Sequence, residues 1–177
     1  METWTQQQTI YDGKIFRVRV GEVSLEDGTV AQREIVEHGG GVGIIPFTGN
    51  SVIFVRQYRI AIGKTILEMP AGKREGDEPP ADCGMRELIE ETGLRAGRLI
   101  PAGAVYASVG YCSELIHVFL ALDLEHVGQD LDHEERIELV EMPIEEVRTA
   151  LREHRFDDAK TVVGLYALFQ YLDAAKS

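Results

Sequence analysis

Three carboxylates lie close together in the segment R-E-L-I-E-E-T-G-L, residues 86–94. Glu87 precedes Glu90 and Glu91 by three and four residues, and on a helix such neighbours of like charge repel each other by about a few tenths of a kcal/mol. Either this is a solvated acidic face that Arg86 partly neutralises, or Glu87 and Glu91 bind one hard cation. Mg²⁺ suits the second alternative, because it takes oxygen ligands and is usually shared between carboxylates and substrate phosphates. Such a cation would let a chain of net charge −12 hold a polyphosphate.

A helix must position these carboxylates. Pro79 and Pro80 are typical of a helix start, and Gly93 is typical of a helix end. Between them, five residues at i, i+3 and i+4 spacing form a stripe that can pack on a core: Ala81, Met85, Leu88, Ile89 and Thr92. The three glutamates are expected on or near the opposite side of the helix.

Strands and two further helices are predicted around this helix. Alternating apolar and polar residues predict a strand at 14–20, which an E-D-G-T turn joins to a strand at 30–38. Residues 1–37 therefore form a small antiparallel sheet ahead of a main domain, residues 38–177. That domain has predicted strands at 39–47, 52–58, 98–106, 115–124 and 137–142, and helices at 144–154 and 159–175. Strands enclosed by a few helices indicate a mixed α/β or α+β sandwich, and we adopt the α+β class.

Composition narrows the function classes. The net charge of −12 argues against nonspecific binding to nucleic acid or to anionic membranes. No apolar run approaches the roughly 20 residues of a membrane span, and the start M-E-T-W-T-Q-Q-Q lacks the features of a signal peptide. Cys83 and Cys112 form neither a metal-type pair nor a disulfide framework. We therefore expect reduced thiols and a cytoplasmic protein.

The residues around the carboxylates form a longer pattern, G-x5-E-x7-R-E-U-x-E-E-x-G-U, in which U is a bulky apolar residue. Its defined positions are Gly72, Glu78, Arg86, Glu87, Leu88, Glu90, Glu91, Gly93 and Leu94. This resembles the Nudix box of the Nudix hydrolases, with every defined position filled. The resemblance implies a loop–helix–loop metal site in an αβα sandwich with a mixed β-sheet. It also implies hydrolysis of a nucleoside diphosphate linked to a further moiety.

The resemblance assigns roles within the box. Glu87 and Glu91 correspond to the main Mg²⁺ ligands, with Mn²⁺ as an alternative ion, and the carbonyl of Ala71 commonly completes the metal shell. Glu90 either binds the metal or positions it. Arg86 corresponds to an arginine that pairs with carboxylates of the box and orients them.

Residues ahead of the helix also match the family. Arg59 corresponds to an arginine that contacts the diphosphate, whereas Arg56 is equally compatible with a surface strand. Glu68 resembles a glutamate beside the metal site, and its plain alternative is a salt-bridge partner. Gly72 permits a tight backbone approach, and Glu78 tethers the loop.

Outside the box, the resemblance is to the ADP-ribose pyrophosphatase branch and its nucleotide-sugar relatives. It rests on the segments R-E-I-V-E-H-G-G-G-V-G-I-I-P-F and V-R-Q-Y-R-I-A-I-G-K-T-I-L-E-M-P-A-G. In this branch the N-terminal sheet is swapped between protomers, which implies a homodimer; the alternative is a strand pair packed on its own domain. The adenine is then expected against that sheet, near Ile35 or Arg33.

One segment departs from the branch pattern. ADP-ribose pyrophosphatases carry a proline in an S-P-G-x-x-x-E-like segment after the box, whereas this chain has S-V-G-Y-C-S-E at 108–114. Gly110 and Glu114 match, and Glu114 corresponds to a contact with the distal sugar. Val109 replaces the proline and removes its fixed φ, so the loop can be shaped for a different sugar.

A second departure concerns the base that activates water. In this branch an acidic loop closes over the substrate, and its counterpart here is D-L-D-H-E-E-R-I-E-L-V at 130–140. Glu135 falls on a metal-binding position, and His133 falls where the family has its catalytic glutamate. A neutral imidazole can act as a base near pH 7, but we favour Glu134 or Glu135. The alternative is a solvated loop that only closes over the site.

These residues predict Mg²⁺-dependent hydrolysis of the pyrophosphate bond of ADP-ribose or a related nucleoside diphosphate sugar, giving AMP and a sugar phosphate. One alternative is another substrate, such as GDP-mannose. A second is a non-catalytic nucleotide-binding Nudix sensor, although such modules tend to lose box glutamates and none is lost here. The partners expected are the sugar nucleotide and a second copy of the chain, with no nucleic acid and no membrane.

Overall fold

The computed structural model describes residues 1–129 and 136–175. In these residues ten strands and three helices follow one another: β1 (Thr3–Asp12), β2 (Phe16–Ser24), β3 (Val30–His38), β4 (Gly41–Pro46), β5 (Ser51–Arg59), β6 (Lys64–Glu68), β7 (Ala71–Lys73), α1 (Pro80–Thr92), β8 (Leu94–Tyr106), β9 (Leu115–His126), β10 (Glu138–Pro143), α2 (Ile144–Arg152) and α3 (Ala159–Ala174). They form two compact units. Unit 1 contains Met1–Gly40 and Tyr106–Leu115, and unit 2 contains Gly41–Val105 and the described residues from Ile116 onward.

Unit 1 is built on an antiparallel sheet in the order β1-β2-β3. Strands β2 and β3 pair without a break from Phe16–His38 to Ser24–Val30, as the E-D-G-T turn predicts. The sequence did not predict β1, because its residues T-W-T-Q-Q-Q-T-I-Y-D are exposed at nearly every position and show no apolar alternation. Strand β1 is held in place by its pairing with β2 and not by the burial of one of its faces.

Unit 2 contains two sheets. A mixed sheet has the order β7-β4-β9-β8, with β4 parallel to β9 and antiparallel to β7. A second, antiparallel sheet has the order β10-β5-β6. Strand β4 is buried at every position, as expected for a strand covered on both faces.

Helices cover both faces of the mixed sheet. Val42 and Ile44 belong to one apolar cluster with Leu88 of α1, whereas Ile45 belongs to a second cluster with Leu165 of α3. Neighbouring residues of β4 thus point to opposite faces, and each face has its own helix layer. This is an αβα sandwich, and with the separate antiparallel sheet it agrees with the predicted α+β class. No helix of the described residues is long and apolar enough to cross a membrane.

Helix α1 has the predicted length, and the predicted stripe forms part of its buried face: Leu88 and Thr92 are buried, and Met85 packs on the same cluster as Leu88. Its buried residues are Cys83, Gly84, Glu87, Leu88, Glu91 and Thr92, whereas Ala81 is exposed. The interpretation that placed the glutamates opposite the core is therefore wrong for Glu87 and Glu91. Apolar periodicity missed the burial of Glu87 and Glu91 because two carboxylates occupy positions that a buried helix face normally gives to apolar residues.

Candidate active site

The ends of α1 are set by the residues that the sequence indicated. Pro79 has extended backbone dihedrals as the N-cap, and Pro80 is the first helical residue. Gly93 ends the helix in the left-handed conformation, with φ of 70°, and its N–H donates to Ile89 at 2.8 Å. An added Cβ at Gly93 would lie 2.7 Å from the backbone nitrogen of Gln129. Both the dihedral and the close approach require glycine there.

Arg86 is the hub of the charged side chains on α1. Its Nε and Nη2 each donate to a different oxygen of Glu78 at 3.0 Å, which closes a bidentate pair. Its Nη1 donates to Oε1 of Glu87 and to Oε2 of Glu90, both at 2.8 Å. Nη2 also donates to the carbonyl of Lys73 at 3.2 Å. One guanidinium thus holds three carboxylates and the end of β7.

Backbone atoms before the helix surround the two buried glutamates. A Cβ built on Gly72 would lie 1.8 Å from Cδ of Glu87, so only glycine allows this carboxylate to reach its position. The N–H of Ala71 donates to Oε2 of Glu91 at 2.9 Å. Glu87 and Glu91 are one turn apart on the same face, only 9% and 3% exposed. The fold therefore places two carboxylates side by side, against the backbone of Ala71 and Gly72.

A second charged group joins β5, β6 and the start of α3. Glu68 is 2% exposed and receives Nε and Nη2 of Arg59 at 2.6 and 3.1 Å. Nζ of Lys160 also donates to Glu68, at 2.7 Å. Lys160 further contacts Asp158 at 3.0 Å. Sequence reasoning gave Lys160 and Asp158 no role, because they are 92 and 90 positions from Glu68 and the one local signal was a capping aspartate before a helix.

These contacts shift the pKa values of the carboxylates. The hydrogen bonds from Arg86 lower the pKa of Glu78 from 4.5 to about 2. Burial acts to raise the pKa of Glu68, but the hydrogen bonds and charges of Arg59 and Lys160 prevail and lower it. The pKa of Arg59 is raised, first by its bond to Glu68 and further by the charge of Glu91. Arg59 is therefore close enough to Glu91 to sense its charge.

Cys83 is not a nucleophile in this arrangement. Burial, with a contribution from a hydrogen bond to Glu78, raises the pKa of its thiol to about 12. Only a thiolate attacks carbon or phosphorus efficiently, so Cys83 stays protonated and unreactive at neutral pH. Both Cys83 and Cys112 are free thiols, as expected.

Two of the predicted substrate residues of unit 1, Gly110 and Glu114, belong to one segment, whereas Arg33 lies within β3. The loop with Val109 in place of proline is held by backbone bonds to β3: the N–H of Val36 donates to the carbonyl of Tyr111 at 2.7 Å, and the N–H of Ser113 donates to the carbonyl of Val36 at 2.9 Å. Glu114 lies 3.6 Å from Nδ1 of His38. The loop thus obtains its shape from strand pairing, without the fixed φ of a proline.

Two predicted substrate residues have features that the sequence did not indicate. Arg33 forms a bidentate pair with Glu2, through Nε at 2.9 Å and Nη2 at 2.5 Å. Nothing lies within 4 Å of a Cβ built on Gly110, so no close contact requires glycine there. The predicted base and loop residues, His133, Glu134 and Glu135, lie outside the described residues.

Comparison with known proteins identifies the family. A model of the NUDIX domain matches residues 37–163. The chain is 38% identical to an ADP-ribose pyrophosphatase of Bacillus subtilis. The alignment spans 169 residues, which are 94% of this chain and 89% of that protein. It is 34% identical to a methanol dehydrogenase activator of Bacillus methanolicus. That alignment spans 174 residues, which are 97% of this chain and 92% of the relative. It is 33% identical over 161 residues, 83% of each, to a GDP-mannose pyrophosphatase of Cronobacter sakazakii.

The fold comparison agrees with the sequence comparison. The crystal structure of an ADP compounds hydrolase superposes with a TM-score of 0.87 at 22% identity, over 98% of this chain and 95% of that one. The chain therefore belongs to the Nudix family and has the Nudix fold. The family and the fold class predicted from the sequence are confirmed, and members of this family generally use divalent metal ions.

Proposed function

We propose that this chain hydrolyses the pyrophosphate bond of a nucleoside diphosphate sugar and releases a nucleoside monophosphate and a sugar phosphate. The observation that carries the proposal is the pair of buried carboxylates, Glu87 and Glu91, which lie against the consecutive residues Gly72 and Ala71. Arg86 and the N–H of Ala71 hold these two carboxylates one helical turn apart, and two such carboxylates can share one divalent ion. The pyrophosphatase relatives support the reaction class.

The donor set fits Mg²⁺, with Mn²⁺ as an alternative. Mg²⁺ usually takes one or two protein carboxylates and completes its shell with waters and substrate phosphates. Among residues 1–129 and 136–175, no three acidic, histidine or cysteine side chains converge as a ligand group. We propose that Glu87 and Glu91, which share one buried face of α1, would hold the ion together with the carbonyl of Ala71, with Glu135 as an additional ligand. A bound divalent ion would neutralise phosphate oxygens and increase the acidity of a coordinated water.

Arg59 and Arg86 of unit 2 are proposed to bind the diphosphate and to orient the carboxylates, respectively. Glu68 holds Nε and Nη2 of Arg59, and in the described part of the chain Nη1 of Arg59 has no hydrogen-bond partner. With 41% of its side chain exposed, Arg59 can present Nη1 to a diphosphate oxygen. Arg86 holds Glu87 and Glu90 in place and so orients the carboxylates rather than the substrate. We assign the base that takes a proton from the attacking water to Glu134 or Glu135.

ADP-ribose is the proposed substrate, and GDP-mannose is the second candidate. The B. subtilis relative supports the first. Val109 in the loop at 108–114 and the C. sakazakii relative support the second. In either case Gly110 and Glu114 are proposed to contact the sugar, and Arg33 is proposed to contact the nucleobase.

We further propose a homodimer in which β1, β2 and β3 are exchanged between protomers. Large apolar side chains on and beside this sheet are exposed in the single chain, among them Ile10, Tyr11, Ile15 and Val30. Exposed apolar clusters of this kind commonly mark protein–protein contacts. The two free thiols support a cytoplasmic site of action.

The test compares turnover of ADP-ribose, GDP-mannose and ADP-glucose with Mg²⁺, following release of the nucleoside monophosphate. We expect the highest kcat/KM for ADP-ribose, with AMP and ribose 5-phosphate as products. A preference for GDP-mannose would select the second candidate. Tight binding of a nucleotide that stays intact after long incubation with Mg²⁺ or Mn²⁺ would contradict the enzymatic function. It would favour a non-catalytic sensor, a possibility that the methanol dehydrogenase activator among the relatives makes worth testing.

A further inference from the structure

The start of α3 contacts the strand end that precedes the proposed metal site. Thr161 accepts a hydrogen bond from the backbone N–H of Met69 at 2.8 Å, and neighbouring Lys160 donates to Glu68 at 2.7 Å. Two consecutive residues of α3 therefore hold two consecutive residues of the segment that leads to Ala71 and Gly72. A close helix approach supports this contact, because a Cβ built on Gly164 would lie 2.7 Å from Cε of Met69.

Lys160 is itself held in a fixed place. Asp158 is the N-cap of α3, and its Oδ2 accepts from the N–H of Thr161 at 3.0 Å and from its hydroxyl at 2.5 Å. The other oxygen of Asp158 lies 3.0 Å from Nζ of Lys160. The ammonium is thus oriented by a capped helix, a rigid support for a residue that must orient another.

Glu68 depends on two cations, and only one of them is open to solvent. The side chain of Arg59 is 41% exposed, whereas that of Lys160 is 13% exposed and that of Glu68 is 2% exposed. Arg59 can therefore reach a substrate, and Lys160 cannot do so without leaving both of its carboxylates. Oε2 of Glu68 is shared between Nη2 of Arg59 at 3.1 Å and Nζ of Lys160 at 2.7 Å. The position of this oxygen, and hence of the guanidinium, is set by the lysine as much as by the arginine.

We propose that Lys160 is a positioning residue for the hydrolysis: it fixes Glu68 and, through Glu68, the orientation of Arg59 toward the diphosphate. The inference rests on the proposed function and names a residue through which α3 controls substrate binding. Without Lys160, Glu68 retains Arg59 but loses the contact that fixes its second oxygen. The guanidinium then samples more orientations, and binding of the diphosphate weakens more than the chemical step slows.

The experiment compares Lys160→Met with a matched control, Lys64→Met. Lys64 pairs with Asp157 at 3.0 Å, and Asp157 directly precedes Asp158, but both side chains of this pair are half exposed. We expect Lys160→Met to raise KM for the sugar nucleotide about tenfold, the loss of one charge-assisted contact, and to change kcat by less than about threefold. Lys64→Met should leave both parameters within about twofold of wild type, as for a surface pair. Lys160→Arg, which keeps a cation near Glu68, should restore most of the affinity.

A double-mutant cycle with Arg59→Ala tests the route of the effect. If Lys160 acts through Arg59, Lys160→Met adds no further rise in KM when Arg59 is already alanine. Additive effects, or equal KM values for Lys160→Met and Lys64→Met, would overturn the inference, as would a loss of melting temperature without any change in KM. If Lys160→Met does not fold, Lys160→Gln takes its place with the same criteria. Failure of wild-type protein to hydrolyse any sugar nucleotide would instead reject the proposed function.

Discussion

Two regions of the molecule differ in what they bury. The segment from Gly72 to Gly93 buries charged side chains, whereas the sheet of β1, β2 and β3 leaves large apolar side chains exposed. The segment buries Glu87, which accepts from Arg86, and Glu91, which accepts from the N–H of Ala71 just before the segment. The sheet leaves apolar residues such as Ile10 and Val30 exposed. Each arrangement costs stability in a lone chain, since buried charge and exposed apolar surface are both unfavourable. We propose that each is compensated by binding: of a divalent ion in the first region and of a second protomer in the other.

This difference predicts different consequences of mutation. Changes in the segment alter the position or charge of carboxylates, so they act mainly on turnover. Changes in the sheet alter association, so they act on assembly and more weakly on the reaction. The predictions below proceed from the largest expected effect to the smallest.

Glu91→Gln is expected to have the largest effect. Glutamine keeps an oxygen that can accept the N–H of Ala71, so the fold should persist, but the negative charge for a cation is lost. We expect kcat to fall by about three orders of magnitude or more, with the melting temperature nearly unchanged. Steady-state kinetics with Mg²⁺ measures this, and Glu146→Gln on the exposed face of α2 is the control. A rate near that of wild type would exclude Glu91 as a metal ligand.

Gly72→Ala tests whether shape, as well as charge, defines the segment. The added Cβ would lie 1.8 Å from Cδ of Glu87, so the carboxylate must move. We expect kcat to fall about a hundredfold, with a modest loss of stability from overpacking. Gly39→Ala is the control, because a Cβ there meets nothing within 4 Å. Equal activity of the two alanine variants would show that Glu87 does not need its present position.

These two positions illustrate how much the sequence could predict. The fixed spacing from Gly72 to Gly93 predicted the helix, its ends and the family, because chemistry demands those residue types at those places. The sequence placed Glu87 and Glu91 on the wrong side of α1, since apolar periodicity carries no information about a buried polar site. It missed β1, whose mostly polar residues show no apolar alternation and pair with β2 through backbone and polar side-chain contacts. It also missed Lys160, because its contact with Glu68 exists only after folding brings α3 to the end of β6.

Ile10→Asp tests the second region. A carboxylate in place of an exposed apolar residue should prevent association, so sedimentation velocity should show a monomer where wild type shows a dimer. We expect KM to rise about fivefold and kcat to change little, because the residues of α1 are untouched. Gln8→Asp on the same strand is the control for added charge. A dimer of unchanged affinity would remove the sheet from the proposed interface.

Glu78→Gln should have the smallest effect on turnover and a defined effect on stability. The pKa of Glu78 is lowered to about 2, so its bond to Arg86 stabilises the fold fully above pH 4.5 and is lost as the pH falls toward 2. We expect the variant to melt about 3 °C below wild type at pH 7, with a difference that shrinks below pH 4.5. Glu75→Gln is the exposed control. A difference in melting temperature that is constant from pH 7 to pH 3 would contradict the assigned ion pair.

Calorimetric titration of Mg²⁺ and Mn²⁺ tests most directly whether the carboxylates of α1 bind a divalent ion against a pyrophosphate. Wild-type protein with AMP present should take up the ion with a saturating heat signal, and Glu91→Gln should show a much weaker signal under the same conditions. Equal uptake by both proteins would place the ion elsewhere. If wild type takes up neither ion, with or without nucleotide, the carboxylates of α1 do not form a metal site.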